Sequence, residues 1–443
     1  MSAAVPEGVP EGVAVGRSAG PGDAGGPAGP VAVELMAALL GEAGPLATEA
    51  HRLLSPVAAF RSTLRERLLV DGQIVPFAHR AAALTPRHSI AAVDGASVRE
   101  HLYAADLVVA VAVAAEGMTS VGGHPLSHRH WAHVREHESE NDRLLSAAMA
   151  SLELQLLADL SHDVRILDGS HGTPVIALST ALAARSRGVA GAAAELVTDE
   201  VVAAVRSLAD PDQRVHPGEV VALPKADSAH AFAGVYRARY GLDLPGGDRF
   251  LAAQVLEPGE MLYPRAAAEV AGVHFTVREE APQRVQEAAS TLDQAIAPLR
   301  EAAGSAQLLV TYVKPATADT VLKVEFRVSE PLVDAGAPAS SRASSRALGE
   351  AQRLAGLLSA ETPGPHLQEP FAQYAVDLLA KSVSVGAEAL NQSMIAMLPP
   401  GSEDYLTLLA RSYRTRAGGG GGGGTRPGGV GRAGGPGGPA GNR

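Results

Sequence analysis

Residues 90–96 read Ile90-Ala91-Ala92-Val93-Asp94-Gly95-Ala96, and residues 166–170 repeat the phrase as Ile166-Leu167-Asp168-Gly169-Ser170. Each is a short aliphatic run that stops at Asp-Gly. An Asp-Gly pair by itself is a common turn. Here both pairs follow strands with no polar face, where a carboxylate is costly unless something neutralises it. The run Leu107–Ala115 between them is aliphatic throughout, the pattern of a strand covered on both faces. Acids at the ends of buried strands, with helices between the strands, give an α/β protein with a mixed sheet, whose ligands gather where strands end.

Working outward, helical spacing covers Val31–Ala43 and Ala47–Val70, the latter with Leu53, Leu54, Val57 and Phe60 on one face. A long helix is predicted over Ser139–Leu160, with Leu144, Leu145, Ala148, Leu152 and Leu156 in its stripe. Val164–Leu167 and Glu219–Leu223 read as short strands, the second leading to Lys225. Pro174–Ser186 opens a helix with proline in its first turn. Gly272–Val277, Gln307–Lys314 and Val321–Val328 read as strands flanking the helix Arg284–Ala303. Ser341–Leu358 and Glu369–Leu398 read as closing helices. No repeat of 20–50 residues is present.

Composition narrows the chemistry. The chain has 443 residues, no cysteine and a net charge of −11. No thiolate metal site, disulfide scaffold or cysteine nucleophile exists. An acidic balance excludes blanket binding to nucleic acid but leaves room for a local basic groove. Residues 1–30 are rich in Gly, Pro and Ala and read as disordered. So does the tail 416–443, with its run Gly418–Gly424. Residues 31–415 then form one catalytic domain that includes the N-terminal helices. No signal peptide is recognisable, and no apolar run approaches the 20 or so residues of a membrane span. A cytoplasmic protein is expected.

Glu153 stands inside Leu152-Glu153-Leu154, at the border of the long helix's apolar stripe. It either reaches out to solvent or points to the same place as Asp94 and Asp168. Three carboxylates without cysteine suit Mg²⁺ or Mn²⁺. Two such ions can activate a water and stabilise the leaving oxygen of a phosphodiester.

The order of strand with Asp94-Gly95, long aliphatic strand, helix with Glu153, strand with Asp168-Gly169-Ser170, and strand leading to Lys225 resembles the NurA nuclease family. The resemblance spans roughly Arg52 to Leu398 and includes Val324-Glu325-Phe326-Arg327. It implies an RNase H-like mixed sheet flanked by helices, with helical insertions. It also implies a Mn²⁺- or Mg²⁺-dependent DNA nuclease acting on single strands and duplex ends in double-strand break processing. The partner it implies is a HerA-like hexameric ATPase, with the nuclease as a homodimer. Asp94, Glu153 and Asp168 match the family's metal-binding acids, and Lys225 matches a lysine suited to a phosphate contact. The chain departs from the family at Ala96, where Ser is usual. It departs again after Pro370, where the residue seven positions on is Asp377 in place of His. Asp377 or His366 is then the candidate fourth ligand. These departures leave open a non-catalytic subunit that keeps the fold and binds DNA or the ATPase.

Other signals carry less. His124, His128, His130, His133 and His137 crowd one polar segment. The i, i+4 pairs could share a helix face, but a solvated loop leading into the helix is the expectation, with Trp131 as a stacking ring only if the segment contacts DNA or a partner. Ser170-His171 is a poor nucleophile–base pair, since adjacent residues point apart. No phosphate-binding Gly-x-x-x-x-Gly-Lys loop occurs, so processive work on duplex DNA needs a separate motor.

Overall fold

The computed structural model describes residues 28–77, 88–118, 126–225, 231–241, 246–332 and 342–399. The expectations for residues 1–27 and for the tail from 400 onward, and the position of His124, lie outside these. The chain divides into two compact units, residues 1–60 and 61–443. The first holds α1 (Ala28–Gly41) and the start of α2 (Ala43–Val70). There Val33, Leu35, Met36, Leu39, Leu40, Leu46, Leu53 and Leu54 are all exposed.

The second unit is built on a ten-stranded mixed sheet. In chain order the strands are β1 (Ile74–Pro76), β2 (Ile90–His101), β3 (Asp106–Glu116), β4 (Ser127–Arg135), β5 (Val164–Asp168), β6 (Glu219–Leu223), β7 (Glu260–Leu262), β8 (Arg265–Ala266), β9 (Leu308–Lys314) and β10 (Leu322–Arg327). Their order across the sheet is β1-β7-β9-β10-β6-β5-β2-β3-β4, with β8 on β9. β2, β3 and β4 form an antiparallel meander, and β5 and β6 run parallel to β2. This half of the sheet has the strand order and directions of the RNase H-like fold.

Helices cover both faces. One face carries α3 (Asn141–Asp159), α4 (Thr173–Leu182), α5 (Arg187–Leu196), α6 (Asp199–Ala209) and α9 (Gln283–Gly304). The other carries α10 (Arg342–Ala360), α11 (Phe371–Ala380) and α12 (Val383–Ala396). The short α7 (Ala231–Tyr240) and α8 (Asp248–Val255) precede β7. Strand alternation decides which residues meet which layer. Ile90 and Ala92 of β2, Val164 and Ile166 of β5, and Val221 and Leu223 of β6 share a core with α10 and α11. No helix among the described residues is long and apolar enough to cross a membrane.

Four readings of the sequence need correction. β2 does not stop at Asp94-Gly95. It continues to His101, paired with β3 along its length from Ala91↔Glu116 to His101↔Asp106. Only Asp168-Gly169 ends a strand, with Gly169 at φ 91° turning the chain. The segment expected to be a solvated loop forms β4, an edge strand registered on β3 from Ser127↔Ala114 to Arg135↔Asp106. Its ladder holds it in place, so its polar side chains stay exposed and share no helix face. Gly272–Val277 is not a strand. Ala268–Gly272 is a 3₁₀ turn, and the Asp293 carboxylate accepts from Phe275 N–H at 3.2 Å where a neighbouring strand would otherwise pair. Finally, Glu369–Leu398 is two helices, α11 and α12, separated at Lys381-Ser382.

Candidate active site at the ends of the parallel strands

The alternation that buries Ile90 and Ala92 puts Asp94 next on the same face. Asp168 likewise follows Val164 and Ile166, and Lys225 lies two residues beyond Leu223. Three neighbouring parallel strands therefore deliver two acids and a lysine to one place, under α11. β2 pairs with β5 only through Val93↔Leu167. From Asp94 onward the two strands part, and the acids sit in the opening.

The lysine ammonium is the centre of the cluster. Lys225 Nζ lies 3.2 Å from Asp168, 3.6 Å from Asp94, 3.1 Å from Asp377 and 3.5 Å from Glu369. Burial pulls its pKa down, but the surrounding carboxylates more than reverse this and hold it above its ordinary value. Asp377 also pairs with Lys381 at 2.5 Å. Burial acts to raise Asp377, and the two lysines outweigh it, leaving it below the usual carboxylate value. Glu369 is raised, by burial first and then by Asp377 and Asp168 against the pull of Lys225.

Asp94 is buried, and burial together with the Asp168 charge pushes its pKa up to about 7, against Lys225 and the Gly95 N–H. That N–H donates to Asp94 Oδ1 at 2.8 Å. Asp168 Oδ1 accepts from Gly169 N–H at 3.1 Å and from the Gln373 amide at 2.8 Å.

Glu153 arrives from the other side of the sheet. It is buried on α3, and burial, then the charges of Asp94 and Asp168, raise its pKa well above the ordinary value. Gly95 makes the approach feasible. A Cβ there would collide with Glu153 Oε1 and would lie 2.5 Å from Met149 Cγ and 3.0 Å from the Val111 carbonyl. The carboxylate of α3 thus occupies the space that a side chain on β2 would fill.

The sequence candidates Asp94, Asp168, Lys225 and Asp377 are brought together by the lysine, with Glu153 beside them behind Gly95. His366 is exposed in the loop before α11. As the side chains stand, Asp94, Glu153 and Asp168 do not close to mutual ligand spacing. Among the described residues, the one trio of His, Asp or Glu with ligand atoms all within 4.8 Å of each other is elsewhere, at His101, Asp106 and His137. The donor chemistry of the three acids suits a hard divalent cation. In their present place Asp94 and Asp168 face the Lys225 ammonium.

Two members of the site were not read from the sequence, Glu369 and Gln373. The signal was there: Glu369, Gln373, Asp377 and Lys381 recur at intervals of four, a polar stripe along one side of α11 and its flanks. Beside the acids opens a cleft of about 320 Å³ lined by Lys225, Arg249, Glu369, Gln373, Asp377 and Lys381.

No family model and no curated protein matches the chain. Solved structures do. The matches include structures of NurA. The NurA nuclease from Sulfolobus solfataricus aligns over 80% of this chain and 99% of its own, at 12% identity and a TM-score of 0.45. NurA with manganese aligns over 64% and 87% at 11% identity and a TM-score of 0.37. NurA bound to dAMP and manganese aligns over 65% and 86% at 11% identity and a TM-score of 0.35. At these identities and scores the likeness assigns no role to any residue, and the site stands on its own geometry.

Proposed function

We propose that the chain is a divalent-metal-dependent DNA nuclease, a phosphodiester hydrolase of the exonuclease and single-strand endonuclease type. The observation that carries this is the position of Lys225. Four carboxylates from β2, β5 and the α11 region surround one ammonium at the open end of parallel strands, a place organised for positive charge. Asp94, Glu153 and Asp168 would hold Mn²⁺ or Mg²⁺, with Asp377 as fourth ligand. The metal would supply an activated water and a Lewis acid for the leaving oxygen.

The residues around it have separate tasks. The Gln373 amide fixes the orientation of Asp168. Lys225, released from the acids when a metal neutralises them, remains within reach to contact the scissile phosphate as a point charge. Arg249 and Lys381 give the adjoining cleft the local positive charge that a backbone needs in a protein of net −11.

The NurA resemblance extends the proposal to a homodimer in the cytoplasm, working with a HerA-like hexameric ATPase in double-strand break processing. A second reading has one observation behind it. Lys225 already satisfies the acids, and they do not stand at ligand spacing, as in a subunit that binds DNA or the ATPase without cutting. The purified protein decides between the two on end-labelled single-stranded and duplex DNA with Mn²⁺, Mg²⁺ or EDTA. Cleavage with Mn²⁺ that EDTA abolishes supports the nuclease. DNA retention without cleavage at any metal concentration establishes the second reading.

A further inference from the structure

About 23 Å along β2 from Asp94, at roughly 3.3 Å per residue, the strand ends at His101. The β2–β3 turn then brings Asp106 opposite it, and the segment after β4 brings His137. Asp106 is buried, 1% exposed, while both imidazoles are 43% exposed. His101 Nδ1 lies 2.7 Å from Asp106 Oδ1, and His137 Nδ1 lies 2.8 Å from the same oxygen. Asn141, the buried first residue of α3, donates to Asp106 Oδ2 at 2.8 Å and to the Glu136 carbonyl at 3.0 Å. Its own Oδ1 is buried with no partner.

The other nitrogen of His137 decides what this arrangement is for. Nε2 lies 3.3 Å from the Tyr103 carbonyl, which can only accept, so Nε2 carries the proton. In the neutral ring Nδ1 is then a bare lone pair aimed at a carboxylate oxygen. Two lone pairs at 2.8 Å repel, so something positive must lie between them: a proton, making the ring cationic, or a metal ion. A backbone carbonyl on one ring nitrogen with the other free to ligate is the usual outer shell of a metal-bound histidine. Asn141 plays the same orienting part for the carboxylate.

We propose that His101, Asp106 and His137 form a binding site for a borderline divalent transition metal of the Zn²⁺ class, separate from the acids around Lys225. Two imidazoles and one carboxylate favour such an ion over Mg²⁺. Ligand atoms about 2.0–2.1 Å from a tetrahedral centre stand roughly 3.3–3.4 Å apart, so the two nitrogen–carboxylate spacings need to open by only about 0.6 Å. The two exposed rings leave an outward position for water. The site would tie the β2–β3 turn to the start of α3, and so fix the strand that carries Asp94 against the helix that carries Glu153. It does not depend on the nuclease reading.

The test uses the full chain stripped with EDTA, in a D94N/D168N background that disables the other acids. Co²⁺ is titrated by its visible absorption and Zn²⁺ by calorimetry. The expected result is one equivalent per chain with the intense absorption of imidazole ligation. H101Q/H137Q should remove that equivalent, and N141A should weaken it roughly tenfold. The triple variant H128Q/H130Q/H133Q, on the exposed face and edge of β4, should keep it. If the background protein takes up no metal at micromolar Zn²⁺, the cluster is a proton-held clamp and the proposal fails. It also fails if H101Q/H137Q binds as the background does, or if the β4 triple variant is the one that loses binding. Should H101Q/H137Q not fold, H137Q alone replaces it with the same outcomes, since that ring is half exposed.

Discussion

The two ends of β2 bury a carboxylate in opposite ways. Near its start, Asp94 lies among other acids, and an ammonium fixed by Lys225 supplies the positive charge. At its end, Asp106 lies alone among nitrogen groups, shared by two imidazoles and an amide. The first is a surplus of negative charge around one ammonium. The second is a single negative charge held between two ring nitrogens and an amide. One strand therefore separates two chemistries. A reagent that acts on one end should leave the other alone.

The largest expected effect falls at the acid end. D94N and D168N should each lower turnover on labelled DNA at least a hundredfold, because an amide keeps the shape and loses the charge that holds metal. Near-wild-type turnover in either variant removes the acid end from the chemistry. Next is the lysine. K225M should destabilise the metal-free protein by about 1–2 kcal/mol in urea, a modest figure because the side chain is 39% exposed. Saturating Mn²⁺ should restore most of the loss. No recovery with Mn²⁺ would mean that ammonium and metal do not occupy the same place.

The pH dependence of stability distinguishes the ends more finely. Asp94 has an ordinary value of 3.8 and a folded value of about 7. Below about pH 4 it is protonated in both states and contributes no penalty. Between 4 and 7 the folded protein holds the extra proton, so stability falls as pH rises, and the loss is complete above 7. His137 is raised from 6.5 by its bond to Asp106. Its contribution is complete below 6.5 and is also lost as pH rises through its folded value. Both ends thus weaken the metal-free protein with rising pH. D94N should flatten the lower part of the melting-temperature profile, from about 4 to 7, and leave the upper part. If D94N flattens nothing, Asp94 is not the group being titrated.

The smallest effect belongs to Asp377. D377A should raise the Mn²⁺ concentration for half-maximal cleavage about three- to tenfold, with little loss at saturation, and D377H should recover much of it. An unchanged Mn²⁺ dependence makes Asp377 a partner of Lys225 and Lys381 only.

What was legible in the chain follows from range. Period-two burial is local, so Asp94, Asp168 and Lys225 could be put on one face from the aliphatic phrases before them, although only Asp168 closes its strand. Glu153 could be picked out because a charged residue interrupts Leu152 and Leu154. The continuation of β2 beyond Gly95 was not legible, since Asp-Gly is a turn signal and only the pairing with β3 overrides it. β4 was missed for a similar reason. An edge strand is held by its ladder and does not need an apolar face, so Ser127–Arg135 carries no strand pattern. The His101, Asp106 and His137 cluster depends on register across three segments, which no spacing along the chain reveals. Glu369 and Gln373 were the avoidable omissions, because their four-residue stripe with Asp377 is local.

Gly95 leaves room for Glu153 beside Asp94, and on the proposed reading that room is where recognition and reaction could be separated. Every ionised group of the acid end could remain, along with the basic cleft, and a single added methyl at this position would still displace Glu153 from beside Asp94. G95A would then be a silent form of the protein, with the same surface charge and the same grip on nucleic acid but no alignment of its acids. Such a form is the natural trap for capturing an uncut substrate. On the proposed nuclease reading, one nucleotide change in a glycine codon would then convert a cutting subunit into a purely holding one.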